Sequence, residues 1–513
     1  MSILLGIDLG TSGVKVLALK ESGEIVAITS QRYPLHQPRA GWSEQDAEDW
    51  WKGVVRAVRE VLATDAVQPE SVRGLAVSGQ MHGSVFLDNQ QQIIRRPILW
   101  NDTRTFPQCE TITNTIGEEA LIDLAGNPAL EGFTAPKVLW LKEHEPQHYQ
   151  ELATLLLPKD YILYRLTGRL CTEVSDAAGT LLFDVEHREW SGELMERFDL
   201  NPSVLPEVLE SVDVVGTVSE EAAAATGVSE ETRVVAGGAD NACSAVGNGI
   251  VSEGLVLASL GSSGTVVAHT DQMKKDPHGR IHSFNHAVPH RWYLMGVMLS
   301  AAASFQWFRD NFAEAELMLE KSIPESADEL LNKQAESVRP GSEGVLFLPY
   351  LSGERTPHRH AKARGVFFGL APIHTKKHFA RAILEGVSFG MRDSLELVRD
   401  LGVEPRQIRI TGGGAKSPLW RQMLADVFNQ PVVTTNIEEG PAIGAALLAG
   451  VGVEIFADVG EAVSEVVKVT NTIQPDESTA AVYEQLYLVY KHLYQSLREN
   501  FDEAFALNEQ LGQ

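Results

Sequence analysis

The sequence predicts an α/β protein of two similar domains, in which strands lead into functional loops at their carboxyl ends. Three observations predict this fold class. Short apolar runs alternate with segments of helical spacing, Gly-rich turns follow three of those runs, and a nine-residue motif at 8–16 returns at 259–267. Each copy opens a half of about 240 residues, a usual domain size. We therefore predict an N-terminal domain over 1–248 and a C-terminal domain over 249–513.

The first fifteen residues predict a strand, a tight turn and a return strand. An apolar run ends at Asp8, and Gly10 lets the backbone turn where a Cβ would obstruct it. Thr11 and Ser12 add hydroxyls and backbone N–H groups to the turn. An acid beside such a turn suits a magnesium–phosphate site. Taken alone, the motif fits an ordinary Gly-rich hairpin equally well.

The second copy of this motif lacks the acid. Ser259 stands where the first copy has Asp8, and Ser262 stands where it has Thr11. The copies predict two hairpins that present phosphate-facing turns to a shared cleft. A third Gly-rich turn, at 412–414, opens a helix whose N-terminus could receive phosphate or ribose. None of the three turns has the Walker A pattern or the dinucleotide fingerprint.

The remaining elements are predicted from the spacing of apolar residues and from the Gly- and Pro-containing turns between them. Strands are predicted at 25–32, 74–78, 84–88, 97–100, 155–157, 234–236, 345–350, 408–411 and 431–435. Helices are predicted around Trp50, Val54, Val58 and Val61, at about 159–166, from 380 to 392 and onward, around Trp420, Met423, Leu424 and Val427, from about 440, and at about 475–508.

Composition bounds the function. A net charge of −26 argues against nucleic acid or an anionic membrane as the main partner. No apolar run reaches the roughly 18 residues of a transmembrane helix, and the N-terminus lacks the pattern of a signal peptide. Three widely spaced cysteines form neither a metal motif nor a disulfide framework. We therefore expect a cytoplasmic protein, with a homodimer as one option for its assembly.

Asp240 is the second informative acid. It ends an apolar strand and follows Gly237 and Gly238. A carboxylate in this setting could accept the proton of a substrate hydroxyl as that oxygen attacks a γ-phosphoryl group. The competing interpretation is a cap on the next helix, which is the commoner role of an Asp considered by itself.

Further candidates lie at other strand ends. Met81 and His82 follow a strand–Gly turn, and a neutral His could donate one bond to a sugar hydroxyl. Trp100 could stack on a sugar face or pack in the core. Asp102 and Arg104 are expected to form an ion pair that shapes the pocket floor.

These motifs together resemble the FGGY-type carbohydrate kinases, and the resemblance extends to about residue 450. The hairpin and the Gly-rich loops belong to a wider superfamily, whereas the segments at 80–83 and 100–102 are the specific part. The segments that carry the resemblance are IDLGTSGVK, SGQMHG, WNDTR, LLPKDY, SDAAGT, GGADNA, SLGSSGT, YLSGERTP and GGGAKSPLWRQMLAD.

The resemblance implies two actin/hexokinase-like (ribonuclease H-like) domains around a central cleft for ATP and sugar. It implies that ATP–Mg²⁺ phosphorylates D-xylulose to D-xylulose 5-phosphate. Asp240 would be the general base, and Asp8 and Asp240 would be the catalytic and metal-binding acids. The implied sugar contacts are Met81, His82, Trp100, Asp240 and Asn241, and the implied nucleotide contacts are Thr11, Ser12, Ser262, Ser263, Thr265, Gly413, Gly414 and Ser417.

One departure and two alternatives stay open. Relatives often have Gly where this chain has Ala239, so the local φ must suit a Cβ. The chain could instead phosphorylate another sugar or polyol, such as ribulose, gluconate or fuculose. It could also be a non-catalytic actin-like ATP-binding protein, against which the presence of both Asp8 and Asp240 argues.

Overall fold

The computed structural model describes residues 2–511, apart from the side chain of residue 509, and the chain forms two compact units. Unit 1 contains Met1–Glu253, His269–Tyr293 and Glu439–Lys468. Unit 2 contains Gly254–Ala268, Leu294–Glu438 and Val469–Gln513. The sequence predicts two contiguous domains, 1–248 and 249–513, and this division stays a prediction. The units of the structure are each built from several segments of the chain, and residues 1, 512 and 513 lie outside the described residues.

The strands are numbered in chain order. They are β1 Ile3–Leu9, β2 Gly13–Lys20, β3 Ile25–Arg32, β4 Val72–Gly79, β5 Val85–Leu87, β6 Thr154–Leu156, β7 Cys171–Glu173, β8 Phe183–Asp184, β9 Glu189–Trp190, β10 Glu207–Leu209, β11 Val214–Thr217, β12 Arg233–Ala239, β13 Leu255–Leu260, β14 Gly264–Thr270, β15 His282–Asn285, β16 Trp292–Met298, β17 Leu346–Leu348, β18 Val366–Phe368, β19 Gln407–Thr411, β20 Val432–Thr435 and β21 Val469–Ile473.

The α-helices are numbered in the same way. They are α1 Ala47–Leu62, α2 Phe106–Ile116, α3 Glu118–Ala125, α4 Thr134–His144, α5 Pro146–Glu151, α6 Pro158–Thr167, α7 Val174–Ala177, α8 Gly192–Arg197, α9 Glu220–Thr226, α10 Asp240–Gly247, α11 Ala302–Phe312, α12 Glu314–Leu319, α13 Ala327–Glu336, α14 Lys376–Asp400, α15 Pro418–Phe428, α16 Gly440–Gly452, α17 Val459–Val466 and α18 Glu477–Leu511. None of these described helices is long and apolar enough to cross a membrane.

The main sheet of unit 1 has the strand order β11-β12-β4-β1-β2-β3. Strand β1 pairs antiparallel with β2 and parallel with β4, β4 pairs parallel with β12, and β12 pairs antiparallel with β11. Parallel strands point their carboxyl ends at the same edge of a sheet. The ends of β1, β4 and β12 therefore meet at one edge of unit 1.

The sheet of unit 2 repeats this pattern. Its strands β14, β13, β19, β20 and β21 lie in that order, with antiparallel, parallel, parallel and antiparallel pairings in succession. Both hairpins have three-residue turns, Gly10–Ser12 and Gly261–Ser263, although their registers differ by one residue. The sequence repeat is thus a repeat of topology, as predicted.

Most predicted elements are present, with ends shifted by a few residues. Helix α1 buries the four apolar residues that predicted it. The strand predicted at 97–100 is wrong, because Ile98 makes only isolated bridges, to Glu44 and Ser84. Pro97 lacks the N–H that a ladder position would use, so the apolar run here fills the core without joining a sheet.

Helix α16 packs backbone to backbone against two neighbours within unit 1. A Cβ on Gly6 of β1 would lie 1.8 Å from the Ala442 oxygen of α16. A Cβ on Gly444 would lie 1.9 Å from the Cys243 oxygen of α10, and one on Gly247 of α10 would lie 2.0 Å from the Gly440 oxygen. Only glycine permits such approaches. The small residues of helix α16 thus allow it to pack closely against strand β1 and helix α10.

We predict that Gly6→Ala destabilises unit 1 by about 1–3 kcal/mol or more, because the new methyl must displace a backbone carbonyl. The free energy of unfolding is read from the midpoint of urea denaturation at constant m. Gly192→Ala is the matched control, since a Cβ at Gly192 meets no heavy atom within 4 Å. Equal midpoints for the two variants would contradict the packing described here.

Candidate active site

Three parallel strands bring the candidate residues of unit 1 to one sheet edge. Asp8 of β1 pairs with Ser78 of β4, and Ala239 of β12 pairs with Gly79 of β4. The first residues after these strands are Gly10, Gln80 and Asp240. Register alone therefore places Asp8 and Asp240 at the same edge, on either side of the strand that leads to Met81 and His82.

Asp8 is a half-buried carboxylate with one hydroxyl partner. Its Oδ1 accepts a hydrogen bond from the Ser78 hydroxyl at 3.1 Å. Burial raises the pKa of Asp8 to about 6, although the Ser78 bond and the charge of Lys15 oppose that rise. Lys15 itself forms an ion pair with Glu439. The Asp8 carboxyl is thus mostly ionised at neutral pH. The positive charge of the nearby Lys15 is balanced by its ion pair with Glu439.

Asp240 opens helix α10. The residue before it, Ala239, is the N-cap and has φ −53° and ψ 145°, which a Cβ tolerates, so the departure at this position causes no strain. The Asp240 Oδ1 accepts from the backbone N–H of Asn241 at 2.7 Å and from its side-chain amide at 2.8 Å. It does not occupy the N-cap position that the competing interpretation gave it.

Two causes make Asp240 an unusually weak acid. Burial comes first and the negative charge of Asp8 second, and together they raise the pKa of Asp240 to about 7, against the opposing hydrogen bonds from Asn241. A group with this pKa changes protonation in the physiological range, as a general base does. The geometry thus favours a proton-accepting role over a capping role.

His82 has an enforced backbone and ring orientation. Its φ is 68°, in the left-handed region that most residues avoid. Its Nδ1 lies 2.6 Å from the Gly179 oxygen. Because a carbonyl only accepts, Nδ1 must donate, and Nε2 is then the acceptor nitrogen of the neutral ring. A neutral His82 uses its one N–H in this bond, and its predicted contact with a sugar hydroxyl stays a prediction.

Gly179 leaves no room for a side chain beside this ring. A Cβ there would lie 2.7 Å from the His82 Nδ1 and 3.1 Å from the Met81 Cε. Met81 is buried, and its sulfur lies 3.9 Å from the Asn241 amide nitrogen. The structure thus brings Met81, His82, Asn241 and Asp240 together.

Trp100 lies at the surface of unit 1, with 40% of it exposed. Its indole N–H donates to the Thr11 hydroxyl at 2.9 Å, and that hydroxyl donates to the Gln80 Oε1 at 3.1 Å. Exposure fits a stacking surface better than a core position. These hydrogen bonds connect Thr11 to Trp100 and to Gln80. The neighbouring Ser12 is exposed.

Arg104 and Asp102 form the expected ion pair, at 2.7 Å. The Arg104 guanidinium also stacks on the Trp42 ring at 3.5 Å and bonds to Glu44 at 2.8 Å. All of this lies in the interior of unit 1, because Arg104 and Asp102 are almost fully buried. One face of the Trp42 ring is thus covered by the Arg104 guanidinium.

In unit 2, the turn Gly261–Ser263 is held by the segment that follows β16. The N–H groups of Ala301 and Ala303 donate to the Ser262 oxygen at 2.9 and 3.2 Å, and the N–H of Ala302 donates to the Gly261 oxygen at 3.0 Å. These bonds use the carbonyls of the turn. Ser262 and Ser263 are exposed and Thr265 is half-buried, and the Ser263 hydroxyl lies 3.5 Å from the Leu299 oxygen, to which it donates.

The third Gly-rich turn lines a cavity of about 680 Å³ in unit 2. Gly412 has φ 91° and abuts the Leu260 oxygen, whereas a Cβ on Gly413 would meet nothing within 4 Å. Gly413 therefore faces open space, with Gly414 packed behind it on Trp420. The cavity is bounded on its other side by residues of α11 and α13, among them Gln306, Asp328, Asn332 and Glu336.

Ser417 has a structural role in this cavity wall. Its hydroxyl donates to the Asn332 Oδ1 at 2.8 Å and accepts from the Trp420 N–H at 3.3 Å, which makes it the N-cap of α15. The N-terminus of that helix is thus partly satisfied by its own cap.

The sequence interpretation missed several residues that shape the site. Gln45 donates to the Thr11 oxygen at 2.7 Å and accepts from Gln80 at 3.1 Å, and Lys137 bonds to the His82 oxygen at 3.0 Å. Their partners are 34 to 55 positions away in the sequence. The only available signal was a polar residue inside an apolar helical pattern, as at Lys137 in α4.

Comparison with known proteins finds a family match in both halves of the chain. Residues 3–247 match the N-terminal domain of the FGGY family of carbohydrate kinases, and residues 256–453 match its C-terminal domain. A xylulose kinase of Bacillus subtilis is 42% identical over 494 residues, covering 96% of this chain and 97% of that protein.

Two solved structures have the same fold. A protein described as a xyloylose kinase, from Brucella ovis, has a TM-score of 0.88 at 34% identity and covers 97% of this chain and 99% of its own. A gluconate kinase from Lactobacillus acidophilus has a TM-score of 0.91 at 26% identity and covers 98% and 99%.

The raised pKa of Asp240 predicts a pH-dependent stability. The folded pKa of about 7 exceeds the unfolded value of 3.8, so the unfolded state loses its proton first as pH rises. The wild type is therefore destabilised progressively between pH 4 and pH 7 and uniformly above. In metal-free buffer, Asp240→Asn should gain on the order of 1–3 kcal/mol at pH 8, after allowing for solvent screening, and little near pH 4.

Urea denaturation at the two pH values measures this difference. Asp65→Asn, in an exposed loop, is the control and should show the same stability change at both pH values. A pH-independent difference for Asp240→Asn would show that the carboxyl is not strained by burial.

Proposed function

The chain belongs to the FGGY family of carbohydrate kinases, and from that premise we propose that it transfers the γ-phosphoryl group of ATP to D-xylulose. The products are ADP and D-xylulose 5-phosphate. The observation that carries the proposal is the weak acid Asp240 at a strand end, which accepts two hydrogen bonds from Asn241 and whose ionisation is opposed by the charge of Asp8. The xylulose kinase relatives support the choice of sugar.

Asp240 acts as the general base. The terminal hydroxyl of the sugar attacks the γ-phosphorus in line, the bond to the β-phosphate oxygen breaks, and the hydroxyl proton passes to the Asp240 carboxylate. A pKa of about 7 keeps about half of the carboxyl ionised at neutral pH and makes it a stronger base than an exposed aspartate.

The sugar is held by groups of unit 1. The bond to Gly179 orients the His82 ring, Asn241 lies beside the base, and the exposed Trp100 ring offers a flat surface for the carbon skeleton. These groups are fixed by hydrogen bonds to the rest of unit 1 before any ligand binds. Such preorganisation reduces the entropy lost on binding.

The nucleotide is held by groups of unit 2. The backbone N–H groups of Gly261–Ser263 and the exposed Ser262 side chain suit phosphate oxygens, since the Gly261 and Ser262 carbonyls are already bonded. The cavity beside Gly413 has the volume for a base and a ribose. Its carboxylates, which include Asp328 and Glu336, suit ribose hydroxyls better than phosphates.

The residues present fit magnesium. Mg²⁺ is usually held by one or two carboxylates together with substrate phosphates and water. Asp8 and Asp240 form such a pair, whose repulsion is visible in the raised pKa of Asp240. Among residues 2–511 no group of three or more His, Cys, Asp or Glu could form a complete protein site. When bound, the ion would neutralise charge that develops on the phosphates.

The same proposal includes a cytoplasmic location. The three cysteines are free and buried, which fits a reducing compartment. The substrates, ATP and a free sugar, are both cytoplasmic metabolites in this proposal.

Another sugar is the alternative that the comparisons keep open. A gluconate kinase shares this fold at a TM-score of 0.91, so the fold does not select the sugar. A coupled ADP-release assay over D-xylulose, D-ribulose, L-fuculose, gluconate and glycerol measures the choice. We expect D-xylulose to give the highest kcat/KM. A protein that binds ATP and phosphorylates none of them would instead be a non-catalytic member of the superfamily.

Asp240→Asn tests the base. We expect kcat to fall by about 10²–10⁴, the usual contribution of a general base. ADP binding, measured by calorimetry, should be largely retained, because all the predicted nucleotide contacts except Thr11 and Ser12 lie in unit 2. Full turnover by this variant would refute the assignment.

The pH profile tests the raised pKa. In the wild type, kcat/KM for the sugar should rise with pH, reach half of its maximum near pH 7 and level off above, because only the ionised base reacts. In Asp8→Asn the residual rate should reach half-maximum at a lower pH, since the charge that opposes ionisation of Asp240 is gone. An unchanged midpoint would contradict the coupling of the two acids.

A further inference from the structure

Lys137 is a buried lysine that the proposed mechanism does not use. It lies in the first turn of helix α4, and its side chain is fully buried. Its Nζ donates to two backbone oxygens, that of His82 at 3.0 Å and that of Gly132. No carboxylate forms an ion pair with Lys137 in the described range 2–511.

A buried ammonium without an acid partner is costly. Burial lowers the pKa of Lys137 to about 7, and the negative charge of Asp102 offsets only part of that effect. A leucine or methionine would suit the surroundings of α4 better, since Ala135, Val138 and Leu141 of the same helix are buried. The two carbonyls that Lys137 binds therefore need an explanation beyond packing.

Both carbonyls belong to the loops that carry the predicted sugar contacts. His82 has the left-handed backbone described above, and its oxygen also accepts from the Thr134 hydroxyl at 3.1 Å. Gly132 abuts Trp100, because a Cβ on Gly132 would lie 2.9 Å from the Trp100 oxygen. Between them, the Phe133 ring lies 4.6 Å from the His82 ring. One ammonium thus joins the His82 loop to the loop behind Trp100.

We propose that Lys137 is a positioning residue for sugar selection, which fixes His82 and the Gly132 loop behind Trp100 in one relative orientation. The inference rests on the proposed function, since it assumes that the sugar binds at His82 and Trp100. Lys137 does not touch the sugar, because its side chain is fully buried and its Nζ is bonded to two carbonyls. It acts through the residues that do.

The variant Lys137→Met tests this role, because it keeps an unbranched side chain only one atom shorter and removes both hydrogen bonds. We expect KM for D-xylulose to rise by about tenfold or more, as when buried carbonyls lose their donor. KM for ATP should stay within about twofold, since the nucleotide contacts lie elsewhere. The kcat/KM ratio of D-xylulose to D-ribulose should also fall, which loss of stability alone would not cause.

Lys142→Met is the matched control on the same helix. The Lys142 ammonium lies at the surface and pairs with Asp199 at 2.7 Å, without contact to His82. It should leave both KM values and the sugar ratio unchanged. Thr134→Val is the milder second variant if Lys137→Met does not fold, and it should raise KM for D-xylulose in the same direction by a smaller factor.

Three results would overturn the inference: an unchanged KM for D-xylulose in a folded Lys137→Met or Thr134→Val, an equal rise in KM for ATP, or the same rise in Lys142→Met. A wild type inactive on D-xylulose would refute the proposed sugar, and the comparison is then made with the sugar that the panel identifies. The two failures are therefore distinguishable.

Discussion

The close contact of helix α16 with both β1 and α10 is the constraint on which the arrangement in unit 1 depends. Gly6, Gly247 and Gly444 let backbones touch where any side chain would separate them. Strand β1 carries Asp8 near its end, and α10 begins with Asp240. Because both elements rest on one helix without intervening side chains, the two acids have a fixed separation. The electrostatic coupling that sets the pKa of Asp240 requires such rigidity.

That coupling has a cost in stability. An aspartate with a pKa near 7 is held in a place where its charged form is disfavoured, so the folded protein is less stable with it ionised. The burial and the charge of Asp8 that disfavour the ionised form also make the Asp240 carboxylate a stronger base. His82, with a positive φ, and the unpaired buried Lys137 are further local strains on the same side of unit 1. Strain collected at one sheet edge is typical of a site selected for chemistry at the expense of stability.

The sequence predicted the parts of this site that depend on local signals. A strand followed by Gly and an acid places Asp8 and Asp240, and the repeated hairpin follows from nine adjacent residues, because both are properties of short segments. The structure adds what depends on distant residues. Segments 269–293 and 439–468 return to unit 1, the apolar run at 97–100 fills a core without joining a sheet, and Gln45 joins Thr11 to Gln80. No local pattern encodes which distant carbonyl a polar side chain will meet.

The selection of the sugar must then reside in small differences of orientation. Proteins described as a gluconate kinase and as a xylulose kinase share this fold, so the sheets do not distinguish their substrates. What can differ is the loop after β4 and the loop that precedes α4, which hold Met81, His82 and Gly132. Hydrogen bonding discriminates strongly only when donor and acceptor are held in place, since a mobile group adapts to either substrate. A buried ammonium that fixes two backbone carbonyls holds both loops without itself contacting the sugar.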